Sequence, residues 1–300
     1  MDARPVRRLV LLLSILGAGA LAIAVGIGAI PHGPPKLAAK SAGTHGRTTT
    51  SVLPSVSTPS IPMSGPTTAP RTTTNQGPLV GKVVVLDPGH NGGNAGAPSV
   101  INQMIWNGRE SETCDTTGTE TDSGYTEALF NFNVAQLAAS DLEAEGATVI
   151  LTRNNNSGVG PCVTQRAAIG NQAHADAAVS IHADGGPPSG RGFAILLPVA
   201  DGVNSNIIGP STALGTDLRQ AFLADTGMPV STYDGVDGLQ TRSDLAGTNL
   251  STVPKVFIEC GNMRNSLDAS LLTDPSWQAR AARGITQGIT SFLTAGVPTT

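Results

Sequence analysis

The placement of aromatic and acidic residues divides this 300-residue chain before any periodicity is considered. All ten Phe, Trp and Tyr residues, and every acid except Asp2, lie beyond residue 78. The first 78 residues carry seven basic residues against that one acid, net +6, and the remainder carries eleven against 21, net −10. A core needs large apolar side chains to offset the entropy of ordering the chain, so the folded domain must lie within 79–300. About 220 residues suffice for one sizeable core, burying roughly 70% of the unfolded surface. A domain at −10 with few aromatics has neither the positive field nor the stacking platform of a nucleic-acid binder, and no nucleic-acid partner is expected. Three cysteines are too few for a disulfide scaffold.

The basic end reads as an export segment. Arg4, Arg7 and Arg8 precede residues 9–30, which are 22 positions without a charge. As a helix this run spans roughly the 30 Å hydrocarbon core of a bilayer. The three arginines place the start of the chain in the cytoplasm. The run is longer than the ~7–15 apolar residues of a cleaved signal, which favours a retained anchor over 1–30. Ala18-Gly19-Ala20 or Leu37-Ala38-Ala39 would also suit a peptidase, so cleavage stays open. Either way the domain is exported and works in the cell envelope, tethered to the membrane or released into the wall space. Residues 31–78 hold nine Pro, ten Thr and six Ser with no acid and no aromatic. Such a segment is expected to be a disordered linker, either a tether that lets the domain search the envelope or a passive spacer.

Beyond residue 78, strands and helices alternate. Residues 82–86 (KVVVL), 147–153 (ATVILTR), 177–181 (AAVSI), 192–199 and 255–260 read as strands. Residues 127–145, 163–174, 211–224 and 275–293 read as helices; Phe130, Val134, Leu137 and Leu142 keep roughly helical spacing, and Pro275 opens the last. This order predicts an α/β domain over 79–300, with a mostly parallel, twisted sheet covered by helices on both faces. In such sheets, sites lie at the carboxyl ends of the strands.

Chemistry-bearing residues fall on that edge. The first strand runs into Asp87-Pro88-Gly89-His90-Asn91-Gly92, the third into Ser180-Ile181-His182-Ala183-Asp184, the fifth ends at Glu259, and Glu127 opens the first long helix. Two His and one carboxylate can hold a tetrahedral zinc with one position open. The remaining carboxylate can then accept a proton from the attacking water. Taken singly, a loop histidine is more often a surface residue than a ligand, and a glutamate opening a helix is more often a charge that complements the dipole. Glu259 is the exception, a carboxylate at the end of an apolar strand, where a buried acid needs a partner. Asp87 fits either a turn or a group that orients a ligand. His174, near a helix end, is read as a surface residue.

These residues resemble a known family. Asp87-Pro88-Gly89-His90, Glu127, Ser180-Ile181-His182-Ala183-Asp184 and Val256-Phe257-Ile258-Glu259-Cys260-Gly261-Asn262 are similar to motifs of the zinc-dependent N-acetylmuramoyl-L-alanine amidases, nearest in look to actinobacterial and mycobacterial members. The resemblance spans residues 80–296. It implies hydrolysis of the amide between the lactyl group of muramic acid and L-alanine of the stem peptide, in cell-wall turnover or daughter-cell separation. It further implies one Zn²⁺ per chain held by His90, Glu127 and His182, with Glu259 as the catalytic carboxylate and Arg242, before Ser243-Asp244-Leu245-Ala246-Gly247, as a substrate contact. Asn91 stands where the family usually has a second Gly, and Cys260 replaces a commoner small residue or Thr. The 36 residues between His90 and Glu127 form a polar insert with no helical pattern that would cover the site, so constitutive activity is expected. A zinc peptidase acting on stem peptides would use the same metal set. A non-catalytic wall-binding regulator on the same fold is disfavoured because all four site residues are present.

Cys114 and Cys162 both lie in polar loops, whereas Cys260 ends a buried strand. In an exported domain this predicts a Cys114–Cys162 disulfide closing a loop of 47 intervening residues. A monomeric catalytic domain with peptidoglycan or muropeptides as its partner is expected. Deleting residues 1–78 should leave a soluble domain with a cooperative thermal transition, because that segment contributes nothing to the core. A truncated protein that fails to fold would move the boundary.

Overall fold

The computed structural model describes residues 77–295. The expected anchor, 1–30, and all but the last two residues of the expected linker, 31–78, lie outside the described residues. Among the described residues no helix is long and apolar enough to cross a membrane.

In chain order the elements are β1 (Val83–Pro88), α1 (Pro98–Ile101), β2 (Met104–Trp106), β3 (Ser111–Thr113), α2 (Glu127–Ala144), β4 (Thr148–Leu151), α3 (Val163–Gln172), β5 (Ala177–Asp184), β6 (Ala194–Pro198), α4 (Ile208–Thr226), β7 (Leu239–Arg242), α5 (Ala246–Asn249), β8 (Lys255–Asn262), α6 (Ser266–Leu272) and α7 (Pro275–Thr294). Six strands form one sheet in the order β4-β1-β5-β8-β6-β7. The first four run parallel, β6 is antiparallel to β8, and β7 runs parallel to β6. The expected mostly parallel α/β sheet is therefore present, with a reversed pair at one edge. Strand β7 and the β2–β3 hairpin carry no clear alternation in sequence and were not expected.

Strand alternation gives the two faces different chemistry. Val84 and Leu86 of β1, Val179 and Ile181 of β5, and Val256 and Ile258 of β8 pack into the main core under α2, α4 and α7. That layer buries Phe130, Val134 and Leu142 of α2 and Trp277, Ala281, Ile285 and Ile289 of α7, stripes at helical spacing. The opposite face carries a small cluster of Val85, Ala178 and Val253 beneath α3. It also carries the polar set, Asp87 on β1, Ser180 and His182 on β5, and Lys255 and Glu259 on β8, with Phe257 between the last two. Cys260 points the other way, into the core.

The insert is anchored rather than loose. Cys114 and Cys162 are disulfide-bonded with Cα atoms 4.9 Å apart, as expected, joining the end of the hairpin to the residue before α3. Asn107 and Arg109 at the hairpin tip bond to the main chain of Asp244, Val199 and Ala200. Closing a loop of this length is worth about 3–4 kcal/mol in the chain-entropy account. Replacing both cysteines by serine should lower the unfolding free energy by about that amount in denaturant titrations. Unchanged stability would show that the hairpin's other anchors suffice.

Candidate active site

The site begins where β1 ends. The turn Asp87–Asn91 is held from behind by two buried arginines. Arg153 donates to the carbonyls of Pro88 (2.9 Å), Gly89 (3.3 Å) and Ala128 (2.7 Å), tying this turn to the first turn of α2. Arg166 donates to Pro88 O (2.8 Å), His90 O (3.0 Å) and the Asn91 side-chain oxygen (3.0 Å). Held in this way, His90 takes a left-handed φ of 55°, sparsely populated for a residue other than Gly. Gly89 cannot be replaced: a Cβ there would lie 2.1 Å from the His182 ring.

Three sequence-proposed residues meet at this turn. Glu127, the first residue of α2 and only 4% exposed, sits between the two imidazoles. Its Oε1 is 2.9 Å from His182 Nδ1 and 3.4 Å from His90 Nε2. Its Oε2 accepts the Thr119 N–H at 2.9 Å. One donor atom from each of His90, Glu127 and His182 lies within 4.8 Å of the others. Glu259 pairs with His182 across the parallel β5–β8 ladder, so the fourth residue stands beside the cluster on the same face. Its Oε2 is buried and has no hydrogen-bond partner among the described residues.

The far nitrogen of each imidazole is also fixed. His90 Nδ1 lies 3.0 Å from Asp115 Oδ1. His182 Nε2 lies 3.2 Å from Ser180 Oγ, which itself donates to Asp87 Oδ2 at 3.0 Å. Such outer partners set which ring nitrogen is free and where it points. Of the two readings of Asp87, the geometry therefore supports the orienting one, acting through Ser180. Arg166 stands behind both chains of contacts, 2.7 Å from Asp87 and 3.7 Å from Asp115. Asn91, a departure from the usual Gly, donates to Asp115 Oδ2 at 2.9 Å and so joins the same network. Sequence reasoning missed Asp115, Arg153 and Arg166. Only Arg153 offered a signal, as a charge closing an apolar strand.

Electrostatics separate the two glutamates. Burial alone would raise the Glu127 carboxyl, but His90 and His182 outweigh it and hold it well below the usual range. The Glu259 carboxyl is pushed well above that range by burial first, then by the charges of Glu127 and Asp184. Burial lowers His90, yet Glu127 and Asp115 reverse the effect and push it up to about 10. Carboxylates that raise the proton affinity of an imidazole mark a place that favours positive charge. Two ring nitrogens and a carboxylate oxygen converging there form a donor set that suits a zinc ion.

A cavity of about 170 Å³ opens onto His90 and His182 and is lined also by Glu112, Asp244 and Phe257. The Phe257 ring stacks on His182 at 5.2 Å. Arg242 ends β7; its guanidinium binds Asp244, which lines this cavity, twice, at 2.8 and 2.6 Å, and makes no hydrogen bond to the cluster among the described residues. His174 follows the C-cap of α3 with φ 47° and stands apart from the cluster.

Residues 84–291 match the N-acetylmuramoyl-L-alanine amidase family. The chain is 38% identical over 216 residues to the N-acetylmuramoyl-L-alanine amidase Rv3717 of Mycobacterium tuberculosis, covering 72% of this chain and 88% of that protein. This chain belongs to the amidase family. The crystal structure of the amidase Ami1 from Mycobacterium smegmatis superposes with a TM-score of 0.69 at 40% identity, covering 72% of this chain and 99% of that one. The apo form of Ami1 from Mycobacterium abscessus gives 0.68 at 40% identity, covering 72% and 100%. The resemblance carried by the sequence motifs is thus correct, and the activity is that of a peptidoglycan hydrolase. Amidases of this family are generally zinc-dependent, in keeping with the His–Glu–His cluster.

The buried Asp87 carboxylate gives a test of what holds the site. Burial raises its pKa, but Lys255 and Arg166 dominate and drive it far below the ordinary carboxylate range. A carboxylate depressed on folding adds stability above its unfolded pKa and loses it as pH falls toward the folded one. Asp87→Asn would leave Lys255 and Arg166, 1% and 3% exposed, without their anion. At neutral pH it should destabilise by about 3–5 kcal/mol in denaturant unfolding. The gap to the wild-type protein should narrow only below about pH 4. A constant gap down to pH 2 would mean that the ion pairs are not its source.

Proposed function

We propose that this amidase is zinc-dependent, that His90, Glu127 and His182 hold one zinc ion, and that Glu259 is the catalytic carboxylate. The observation that carries the reading is the convergence of three donors beside a fourth residue, Glu259, with an unpartnered buried oxygen. When bound, zinc supplies Lewis acidity, polarising the amide carbonyl and acidifying a water. The scissile amide joins the lactyl group of muramic acid to L-alanine of the stem peptide, and its amine is a poor leaving group. Glu259 accepts a proton as water attacks the carbonyl carbon and returns it to the departing nitrogen. Its raised proton affinity supports that second step, while the depressed Glu127 stays anionic as a ligand must. Two carboxylates whose surroundings push them apart in this way take different roles. His90 and His182 are kept on target by Asp115 and by Ser180 with Asp87. Arg242 contacts the substrate from the rim, a reading supported by its partner Asp244 lining the cavity.

The domain spans 79–300 and acts as a monomer outside the membrane, tethered through 1–30 and 31–78 or released. The export reading rests on the basic-then-apolar start of the sequence and on the location of the substrate.

The roles separate experimentally. Glu259→Gln keeps size and hydrogen bonding but cannot take a proton, so zinc per chain should stay near one while the rate on peptidoglycan falls by ~10²–10⁴. Glu127→Ala, His90→Ala and His182→Ala each remove a ligand and should lower zinc content as well as activity. Elemental analysis beside turnover on purified peptidoglycan decides the matter. Lost zinc in Glu259→Gln with full zinc in Glu127→Ala would exchange the two roles. Mass spectrometry of the products should find intact stem peptides; shortened stems would make the protein a peptidase.

A further inference from the structure

A second pocket opens just beyond the end of β8, past Glu259, and is not needed to hold or activate anything in the cluster. It has a volume of about 300 Å³ and is lined by Arg264 and Asp122, by Thr121, Ser123 and Ser266, and by the apolar Met263 and Ala269. Its two walls are direct continuations of the site. One follows Thr119, whose N–H holds Glu127 Oε2 at 2.9 Å, into residues 121–123. The other follows β8 past Glu259 into Met263 and Arg264, with the Met263 N–H donating to Asp184 O at 2.8 Å. Arg264 spans the gap between them, donating to Glu120 O at 3.3 Å and lying 2.9 Å from Asp122.

The geometry points to this pocket as a carboxylate subsite for the stem peptide, with Arg264 as its cation; the inference rests on the amidase reading above. A guanidinium has five N–H donors in a fixed fork suited to a carboxylate, and the Ser266 hydroxyl can donate to the same group, whereas those of Ser270 and Thr273 are given to main-chain carbonyls of α6. Its present partner is a weak competitor. The Arg264 and Asp122 side chains are 39% and 79% exposed, and an ion pair at that exposure is easily exchanged. The reach is right as well. Arg264 stands five positions after Glu259, which bounds the distance between them at about 17 Å, within the span of an extended peptide of about five residues. Hydrolysis at the muramoyl amide leaves the peptide running away from Glu259, with its free carboxylates ahead. A peptide leaving past the end of β8 brings one of them to Arg264.

The test uses two synthetic N-acetylmuramoyl pentapeptides, one with all peptide carboxylates free and one with all of them as carboxamides. For the wild-type protein KM should be lower for the carboxylate form. In Arg264→Gln the ratio of the two KM values should collapse by about tenfold, toward one, with the thermal midpoint kept. Asp122→Asn, which removes the competing anion, should widen the ratio. Equal KM values for both peptides in the wild-type protein, or an unchanged ratio in Arg264→Gln, would overturn the subsite. Release of no peptide from either substrate by the zinc-loaded wild-type protein would instead sink the amidase reading on which it rests.

Discussion

A single guanidinium organises the site from behind. Arg166 reaches Asp87 at 2.7 Å and Asp115 at 3.7 Å, and each of these carboxylates leads to one histidine, directly or through Ser180. Lys255 adds a second cation 3.2 Å from Asp87, and Thr152 donates to it at 2.7 Å. Desolvating four charges costs several kcal/mol per ion, offset by their mutual pairing and by added hydrogen bonds such as those of Thr152 and Ser180 to Asp87. The arrangement draws on α3, β1, β5, β8, the loop after β4 and the stretch after β3 that carries Asp115. The two histidines therefore keep their relation to each other only while those six parts are assembled.

The long insert supplies much of the rest. Asp115 holds the His90 ring, the Thr119 N–H holds Glu127, and the disulfide at Cys114 fixes the start of this stretch against α3. Almost none of these contacts depends on regular secondary structure. A loop can position a reactive group closely when its own backbone is bonded at both ends, and here it is bonded covalently at one of them. The insert is thus part of the site's frame and not a cover laid over it.

What could be read from the chain follows what is local. Five strands and four helices were visible because β-branched runs and helical spacing are properties of neighbouring residues. His90, Glu127, His182 and Glu259 were visible because each ends or opens such an element at the edge where sites form. Asp115, Arg153 and Arg166 were not. Their importance comes from partners 25 or more positions away, as Arg166 to Asp87 across 79 and His90 to Asp115 across 25. Asp115 looked like one acid among several in a solvated insert. The reversal of β6 and β7 was equally hidden, since strand direction leaves no mark on a short apolar run.

The two faces of β5 and β8 carry opposite duties at adjacent positions. Val179 and Ile181 enter the core while Ser180 and His182 face the cluster, and in β8 Ile258 and Glu259 divide the same way. A shift of one residue in either strand would bury the polar set and expose the apolar one. An error in pairing therefore cannot yield a well-folded molecule with a damaged centre, because whatever displaces His182 also empties the core. Assembly of the sheet acts as an inspection step: a chain that passes it carries its reactive groups in register, and one that fails does not persist as a compact, inactive competitor for the wall.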